Sequence, residues 1–424
     1  MKPGYKQTEV GVIPEDWETP VIGDLQPFVT SGSRGWAEYY SEYGSPFIRI
    51  TNLTRESIYL DLEDLRFVTL PENNSEGART QLRADDLLIS ITADIGIVGI
   101  VSPDLPSPAY INQHIALVRL NPVHACSKYI TYFLASERPQ SLFRALTDSG
   151  AKAGMNLTTV QQICIATPPT LAEQRAIAGA LSDADALIDS LEQLIAKKRL
   201  LKQGAMQDLL TGKKRLPGFE GEWEVVCLGN VSNFFKGKGL PKSAISSSGV
   251  DLCIHYGELF TQYPHTIKDV ISQTNATTDS FRSCANDVLM PTSDVTPRGL
   301  AKASCVTMDG VVLGGDILVI RTHEGRVNGT FLSCLIRLEE QQILQLVTGS
   351  TVYHLYASDM KKFSLRLPSL PEQTAIAAIL SDMDMEIAAL EAKLSKARQL
   401  KQGMMQELLT GKTRLPGNAE PQLG

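Results

Sequence analysis

No run of apolar residues here is long enough to cross a bilayer, and the opening MKPGYKQTEVGVIPEDW lacks the apolar core of a secretion signal. A cytoplasmic protein without membrane contact is expected. The seven cysteines (Cys126, Cys164, Cys227, Cys253, Cys284, Cys305, Cys334) are scattered, odd in number and without a C-x-x-C pair, which excludes a disulfide framework and fits reduced thiols. The six histidines (His114, His124, His255, His265, His323, His354) show no ligand spacing with cysteines or carboxylates, so no metal centre is predicted. Positive charge is also short: 40 Lys and Arg stand against 47 Asp and Glu, a net charge of -7. Any nucleic-acid surface must therefore be a local patch. Enzyme signatures fail as well. GKT at Gly411 to Thr413 has Gln406 where a phosphate loop needs its first glycine, and Gly237-x-Gly239 lacks the third glycine of a dinucleotide fingerprint. TPPT at Thr167 to Thr170 has the prolines of a base-flipping methyltransferase segment without its carboxamide or aromatic. No catalytic residue and no cofactor on this chain are predicted.

What the chain does have is a long repeat. Pro169 to Gly218 reads PTLAEQRAIAGALSDADALIDSLEQLIAKKRLLKQGAMQDLLTGKKRLPG, and Pro368 to Gly417 reads PSLPEQTAIAAILSDMDMEIAALEAKLSKARQLKQGMMQELLTGKTRLPG. About three-fifths of the positions agree, over a period too long for a solenoid. Each copy reads as one helix. Thr170 with Glu173, and Ser369 with Glu372, have capping-box spacing. Apolar residues then recur at steps of three and four: Ile177, Leu181, Ala184, Ile188, Leu191, Ile195 in one copy, and Ile376, Leu380, Met383, Ile387, Leu390, Leu394, Ala397 in the other. Acidic residues crowd the first half and basic ones the second, as the helix dipole favours. Thr211-Gly212 and Thr410-Gly411, with Pro217 and Pro416 beyond, end the helices. About 40 residues at about 1.5 Å give a rod of roughly 60 Å. The shared KQG predicts a close helix approach or a kink at Gly204 and Gly403. The repeated Ser-Asp-x-Asp (Ser182 to Asp185, Ser381 to Asp384) is expected to be solvated or paired with cations rather than metal-bound.

The predicted plan is four segments: a domain over 1–168, a spacer helix over 169–218, a second domain over 219–367, and a second spacer helix with its tail over 368–424. WETPVIGDL, with Trp17, is echoed by WEVVCLGNV, with Trp223. Short strand-like runs such as DLLISIT (Asp86 to Thr92) and INQHIALVRL (Ile111 to Leu120) recur as NDVLMPT (Asn286 to Thr292) and GGDILVIRT (Gly314 to Thr322), with little else in common. The fold class is α+β: two globular domains of short strands and helices, separated by two long helices packed as an antiparallel coiled coil, in an internal pseudo-twofold repeat.

The alternation of variable domain and rod, with P-x-L-x-E-Q-x-A-I-A opening each rod and L-L-T-G-K closing it, resembles the specificity subunit of a type I restriction-modification system. SGSRGWAEYYSEYGSPFIRITN (Ser31 to Asn52), IHYGELFTQY (Ile254 to Tyr263) and TGSTVYHLYASDMKKF (Thr348 to Phe363) resemble target-recognition segments of that family. The resemblance covers nearly the whole chain. It implies a non-catalytic reader of double-stranded DNA, each domain contacting one half of a bipartite asymmetric site. It further implies two methyltransferase subunits docked on the rods, with S-adenosylmethionine on those partners, and restriction or translocase subunits in the assembled complex. Two other readings stay open: a scaffold whose variable domains bind protein, and an enzyme with a built-in reader, which lacks the motifs noted above.

Candidate DNA contacts follow from residue type, since Arg, Lys, Asn, Gln, Ser and Thr serve base edges and phosphates. In the first domain these are Ser31, Ser33, Arg34 and Trp36 in a glycine-punctuated loop, Arg49 and Asn52 flanking a strand, and the cluster Arg79, Gln81, Arg83. In the second they are Lys236, Lys238 and Lys242 of KGKGLPK, Thr292, Ser293, Thr296 and Arg298 after a strand, and His255, Tyr256 and Glu258. Arg34 and Arg298 are favoured.

Overall fold

The computed structural model describes residues 3–32, 34–71, 74–148, 154–246, 248–275 and 279–415, with only the backbone at 146–148. Both repeats form single helices, Leu171–Leu210 and Leu370–Leu408. Thr170 Oγ1 accepts the Glu173 amide at 3.2 Å, as a cap should. Gly212 and Gly411 follow each helix with φ of 72° and 66°, the left-handed turn that stops a helix. Pro416 lies outside the described residues. A Cβ at Gly204 or Gly403 would meet nothing within 4 Å beyond the helix itself, so close helix approach is not why those glycines are there.

The chain divides into two compact units, residues 1–192 with 393–424 and residues 193–392. This division differs from cuts at the helix ends, because each unit takes part of both long helices. Within unit 1 the helices run antiparallel: Arg398 pairs with Glu192 at 2.6 Å, Lys401 with Asp185 at 2.5 Å, and Arg414, beyond the second helix, with Glu173 at the start of the first. Unit 2 has the same pairs 199 residues displaced: Arg199 with Glu391 at 2.6 Å, Lys202 with Asp384, and Arg215 with Glu372 at 2.6 Å. Ile177 and Leu181 are buried in unit 1, Ile376 and Leu380 in unit 2, as the seam predicts.

Six strands of each unit correspond one to one. In unit 1 they are β1 (Phe28–Ser31), β2 (Ser45–Ile48), β3 (Leu87–Ser90), β4 (Val98–Ile100), β5 (Tyr110–Ile111) and β6 (Ile115–Arg119); in unit 2, β7 (Ser232–Lys236), β8 (Asp251–Ile254), β9 (Asp287–Pro291), β10 (Ser304–Val306), β11 (Val312–Leu313) and β12 (Ile317–Thr322). The central sheets are antiparallel, in the order β1-β6-β3-β4 and β7-β12-β9-β10, with Thr266–Ile267 added beside β10. β2 pairs with β5 in parallel, and β8 with β11 likewise.

The central strands are continuous apolar runs because both faces of each sheet are covered. Leu87 and Ile89 face a core with Ile177, Leu181, Leu408 and Leu409 of the long helices, whereas Leu88 faces a second core with Ile48 and Ile111. In unit 2, Val288 and Met290 share a core with Ile376 and Leu380, and Leu289 lies on the side of Ile254 and Leu313. Each such side chain contributes roughly 1.5–3 kcal/mol by leaving water. One end of each sheet is knotted. Arg119 places Nε and Nη2 on the 1 % exposed Asp86 carboxylate at 2.7 and 2.6 Å, and Arg321 does the same to Asp287 at 2.8 and 2.7 Å. Asp85 and Asn286, just before these aspartates, both have positive φ.

Glu372 is 1 % exposed and both its oxygens accept from Arg215. Glu372→Ala removes two charge-assisted bonds, at a cost of about 2 kcal/mol. Calorimetry should show the unfolding midpoint of unit 2 fall by about 5 °C; a shift under about 1 °C would refute this role for the pair.

Asp384 also titrates differently from an ordinary carboxyl. Burial raises it, but His265, whose Nε2 lies 2.8 Å from Oδ2, and Lys202 outweigh burial and hold it below the usual range. A depressed folded-state pKa means the contribution is full above the unfolded value of about 4 and is lost as pH falls through the folded one. Asp384→Asn is expected to destabilise unit 2 at pH 7, with the penalty fading in acid below about pH 4. Thermal midpoints across that range check this, and a penalty independent of pH contradicts it.

Candidate nucleic-acid interface

The sheet end opposite the Arg–Asp knot is where β1 and β3 finish and β6 begins, and where β7 and β9 finish and β12 begins. The same backbone frame closes it in both units. The Gly32 amide donates to the Ile115 carbonyl at 3.4 Å and the Gly237 amide to that of Ile317 at 3.0 Å. Asn112 donates to Ile48, and Gly314 to Ile254, each at 3.0 Å. Ile91 donates to His114 at 2.9 Å, and Thr292 to Asp316 at 3.0 Å. Met155 donates to Ile91 at 2.8 Å, and Leu355 to Thr292 at 3.0 Å. Glycine is required at the first position: a Cβ on Gly32 would lie 2.1 Å from the Asn112 carbonyl oxygen, and one on Gly237 2.0 Å from that of Gly314.

Side chains on this frame are unlike. Ser31 stands where unit 2 has Lys236, Arg49 where it has His255, Thr92 where it has Ser293, and Gln113-His114 where it has Gly315-Asp316. Even the support of the turn after β2 and β8 is shared. Asn52 Oδ1 accepts the Arg49 amide at 2.9 Å, and Glu258 Oε2 accepts the His255 amide at 2.6 Å.

The predicted contacts divide accordingly. In unit 1, Ser31 ends β1 half-buried at the frame, Arg34 is exposed on the following loop, and Ser33 lies outside the described residues. Trp36 is not a groove contact. It is 3 % exposed, stacks on Phe47 at 5.6 Å, meets Tyr110 edge-on at 5.4 Å and donates to Glu76 at 3.2 Å. Asn52, 1 % exposed, is also structural, its amide nitrogen donating to the Asp61 carbonyl at 2.7 Å. Arg49 sits at the frame, with Nη2 on Asp64 at 2.9 Å. The Arg79, Gln81, Arg83 cluster is not assembled: Arg79 binds back to Thr30 and Ser31, whereas Gln81 and Arg83 join the knot through Arg119 and Asp86.

In unit 2, Lys236 and Lys238 are exposed at the frame, Lys236 lying 3.5 Å from Asp316, and Lys242 is exposed on a short turn beyond. His255 and Tyr256 are half-buried and in ring contact at 4.6 Å. Glu258 is buried and supports the turn by accepting the His255 amide. Ser293 pairs with His354, whose ring stacks on the exposed Tyr356. Thr292 contributes its backbone to the frame. Thr296 and Arg298 lie on the next turn, bound to Asp294 and, at 3.1 Å, to Glu340.

Residues missed in the sequence are Thr92, Gln113, His114, Asp316, His354 and Tyr356. The signal for three of them was available: the polar triplet before INQHIALVRL's strand differs from its GGD counterpart, although the strands that follow agree. Among the described residues, no cluster of three metal-ligating side chains occurs, and no helix is long and apolar enough to cross a membrane.

Comparison with known proteins points one way. The family described as "Type I restriction modification DNA specificity domain" matches residues 14–198 and 220–399. A Methanocaldococcus jannaschii chain assigned as the type I restriction enzyme MjaX specificity subunit is 25% identical over 427 residues, which is 97% of each chain. The MjaVIII specificity subunit of the same organism is 21% identical over 451 residues, covering 95% of this chain and 94% of that one. The solved S subunit of a type I restriction-modification system from M. genitalium shares the fold, with a TM-score of 0.62 at 15% identity over 96% of this chain and 99% of that one.

Gly237→Ala tests the frame. The methyl cannot coexist with the Gly314 carbonyl, so unit 2 should lose about 3 kcal/mol, near the upper end for one substitution, while unit 1 is unaffected. Limited proteolysis would locate the opening. Equal sensitivity of both units, or none, would show that the frame is not what the glycine protects.

Proposed function

Because this chain belongs to the family of type I restriction-modification DNA specificity proteins, we propose that each unit reads one half of a split DNA site and that the long helices set the gap between halves. The chain is a DNA sequence-recognition subunit and is not itself catalytic; methylation and cleavage belong to partner subunits. It works in a complex with DNA and other restriction-modification subunits.

One observation carries the finer reading: two equivalent backbone frames hold unlike side chains. Base edges in the major groove are distinguished by donor and acceptor pattern, so different side chains on one scaffold read different sequences. Lys236, exposed at the end of β7, and Arg34, Lys238 and Lys242, exposed on the segments following β1 and β7, serve phosphates or base edges. A protein-binding scaffold is not favoured.

The helices carry the partner-docking side of the proposal. Leu201 and Leu400 occupy equivalent positions in the two copies and are 51% and 60% exposed. The same apolar group offered once per unit suits one kind of partner bound twice. We assign that place to two methyltransferase subunits, which bring S-adenosylmethionine, with restriction or translocase subunits joining the assembled cytoplasmic complex.

Four residues inserted into both helices, between Glu192 and Arg199 and between Glu391 and Arg398, add about 6 Å and preserve the ion pairs on either side. The expected result is a gap longer by one or two base pairs, at about 3.4 Å each, with both half-sites intact. Methylation mapping across a genome reads this out directly; altered half-sites at constant gap would end the spacer proposal.

A further inference from the structure

Resting on the DNA-reading function above, we infer that Gln113 is a base-reading side chain of unit 1, aimed at an adenine, and that His114 is its positioning residue. Both lie where β6 begins, on the frame end whose backbone is common to the two units, so what distinguishes the units there is the side chain. The His114 ring is engaged at both nitrogens, Nδ1 with Thr92 Oγ1 and Nε2 with Gln113 Nε2 at 3.0 Å. One end of the Gln113 amide is therefore held. Among the described residues nothing donates to its Oε1, and an amide nitrogen carries a second hydrogen. Were the amide turned end for end, the ring would still hold one end and leave the other on offer.

A glutamine fixed in this way has lost much of its rotamer freedom before any ligand arrives, so less is lost on binding. An acceptor and a donor side by side on a planar amide match adenine N6 and N7 in the major groove. Gly315, at the equivalent position of unit 2, has no side chain to do this, and the neighbouring Asp316 lies by Lys236 instead. The two units must therefore read the corresponding base differently.

The test uses the full chain with its methyltransferase partner, mapping methylated sites and measuring methylation rates on duplexes with each base substituted in turn. Gln113→Ala should reduce discrimination at one adenine-containing pair in one half-site by about 10- to 100-fold, the range for a lost bidentate contact, leaving other positions, the second half-site and the gap unchanged. His114→Ala should relax that same pair by a smaller factor. A merely structural histidine would weaken every position of the half-site alike. Unchanged discrimination, uniform weakening, or a relaxed pair without adenine would overturn the assignment while leaving DNA reading intact. Absence of any sequence preference in the unsubstituted complex would instead remove the function on which the assignment rests.

Discussion

A buried carboxylate at the start of each long helix holds each unit together. Glu173 and Glu372 are 5 % and 1 % exposed, and an unpaired carboxylate so far from water would cost several kcal/mol. Each is met by an arginine from beyond the end of the other helix, Arg414 or Arg215, through two parallel hydrogen bonds. The same guanidinium lies 5.9 Å from the Trp17 ring in unit 1 and 5.7 Å from the Trp223 ring in unit 2. In unit 1 three segments remote in sequence are thereby joined, the start of one rod, the tail of the other and the aromatic that opens the domain; in unit 2 Trp223 follows closely on Arg215, and the pair ties that stretch to the start of the second rod. This is why LTGKxRLPG recurs with its arginine intact, although nothing about a helix terminus requires one.

The rods were legible because their periodicity is strong and written twice. Their charge pattern was legible only in part. Acid-first, base-last suits a helix dipole, but the larger use is mutual: antiparallel packing sets the acidic half of one helix against the basic half of the other, as Glu192 with Arg398 and Glu391 with Arg199 show. A sequence states a charge without naming its partner. The loop from Ser31 to Trp36 looked exposed because glycine punctuates it, yet Trp36 is drawn inward by Phe47 and Tyr110, contacts invisible to local reading. Asn52 looked like a base reader because its residue type suits one; its burial beneath a turn is set by where β2 lies. Gln113 and His114 fall within the strand-like run Ile111 to Leu120, and nothing local sets them apart from it. Their role emerges once β1, β3 and β6 bring their ends together.

Each domain separates what must be kept from what must vary. At one sheet end an arginine and a buried aspartate are repeated, with a positive-φ residue before the aspartate in both units. At the other, the fixed parts are backbone amides and carbonyls, which do not depend on side-chain identity, plus one glycine that no other residue can replace. Apart from Asn52 and Glu258, which brace the turns after β2 and β8, rim side chains such as Thr92 and Lys236 project from a frame held by backbone bonds. Changes at Thr92, Gln113, Lys236 or Asp316 alter chemistry at the rim without touching either core, and substitutions away from buried features typically move stability by no more than about 0.5 kcal/mol.

Covalent linkage of the two units decides what kind of site can be read. Two separate half-chains, each one domain with one long helix, could make the same helix pairs only as a dimer of identical halves, and a symmetric reader selects a symmetric site. Within a single chain the reciprocal pairs survive, Glu173 with Arg414 and Glu372 with Arg215, because each repeat keeps both a carboxylate and an arginine. The rims are released from that constraint, so Ser31 can stand in one unit where Lys236 stands in the other. Asymmetry at the rims over near-symmetry in the rods is thus a property of the duplicated chain, and it is what an asymmetric bipartite site demands.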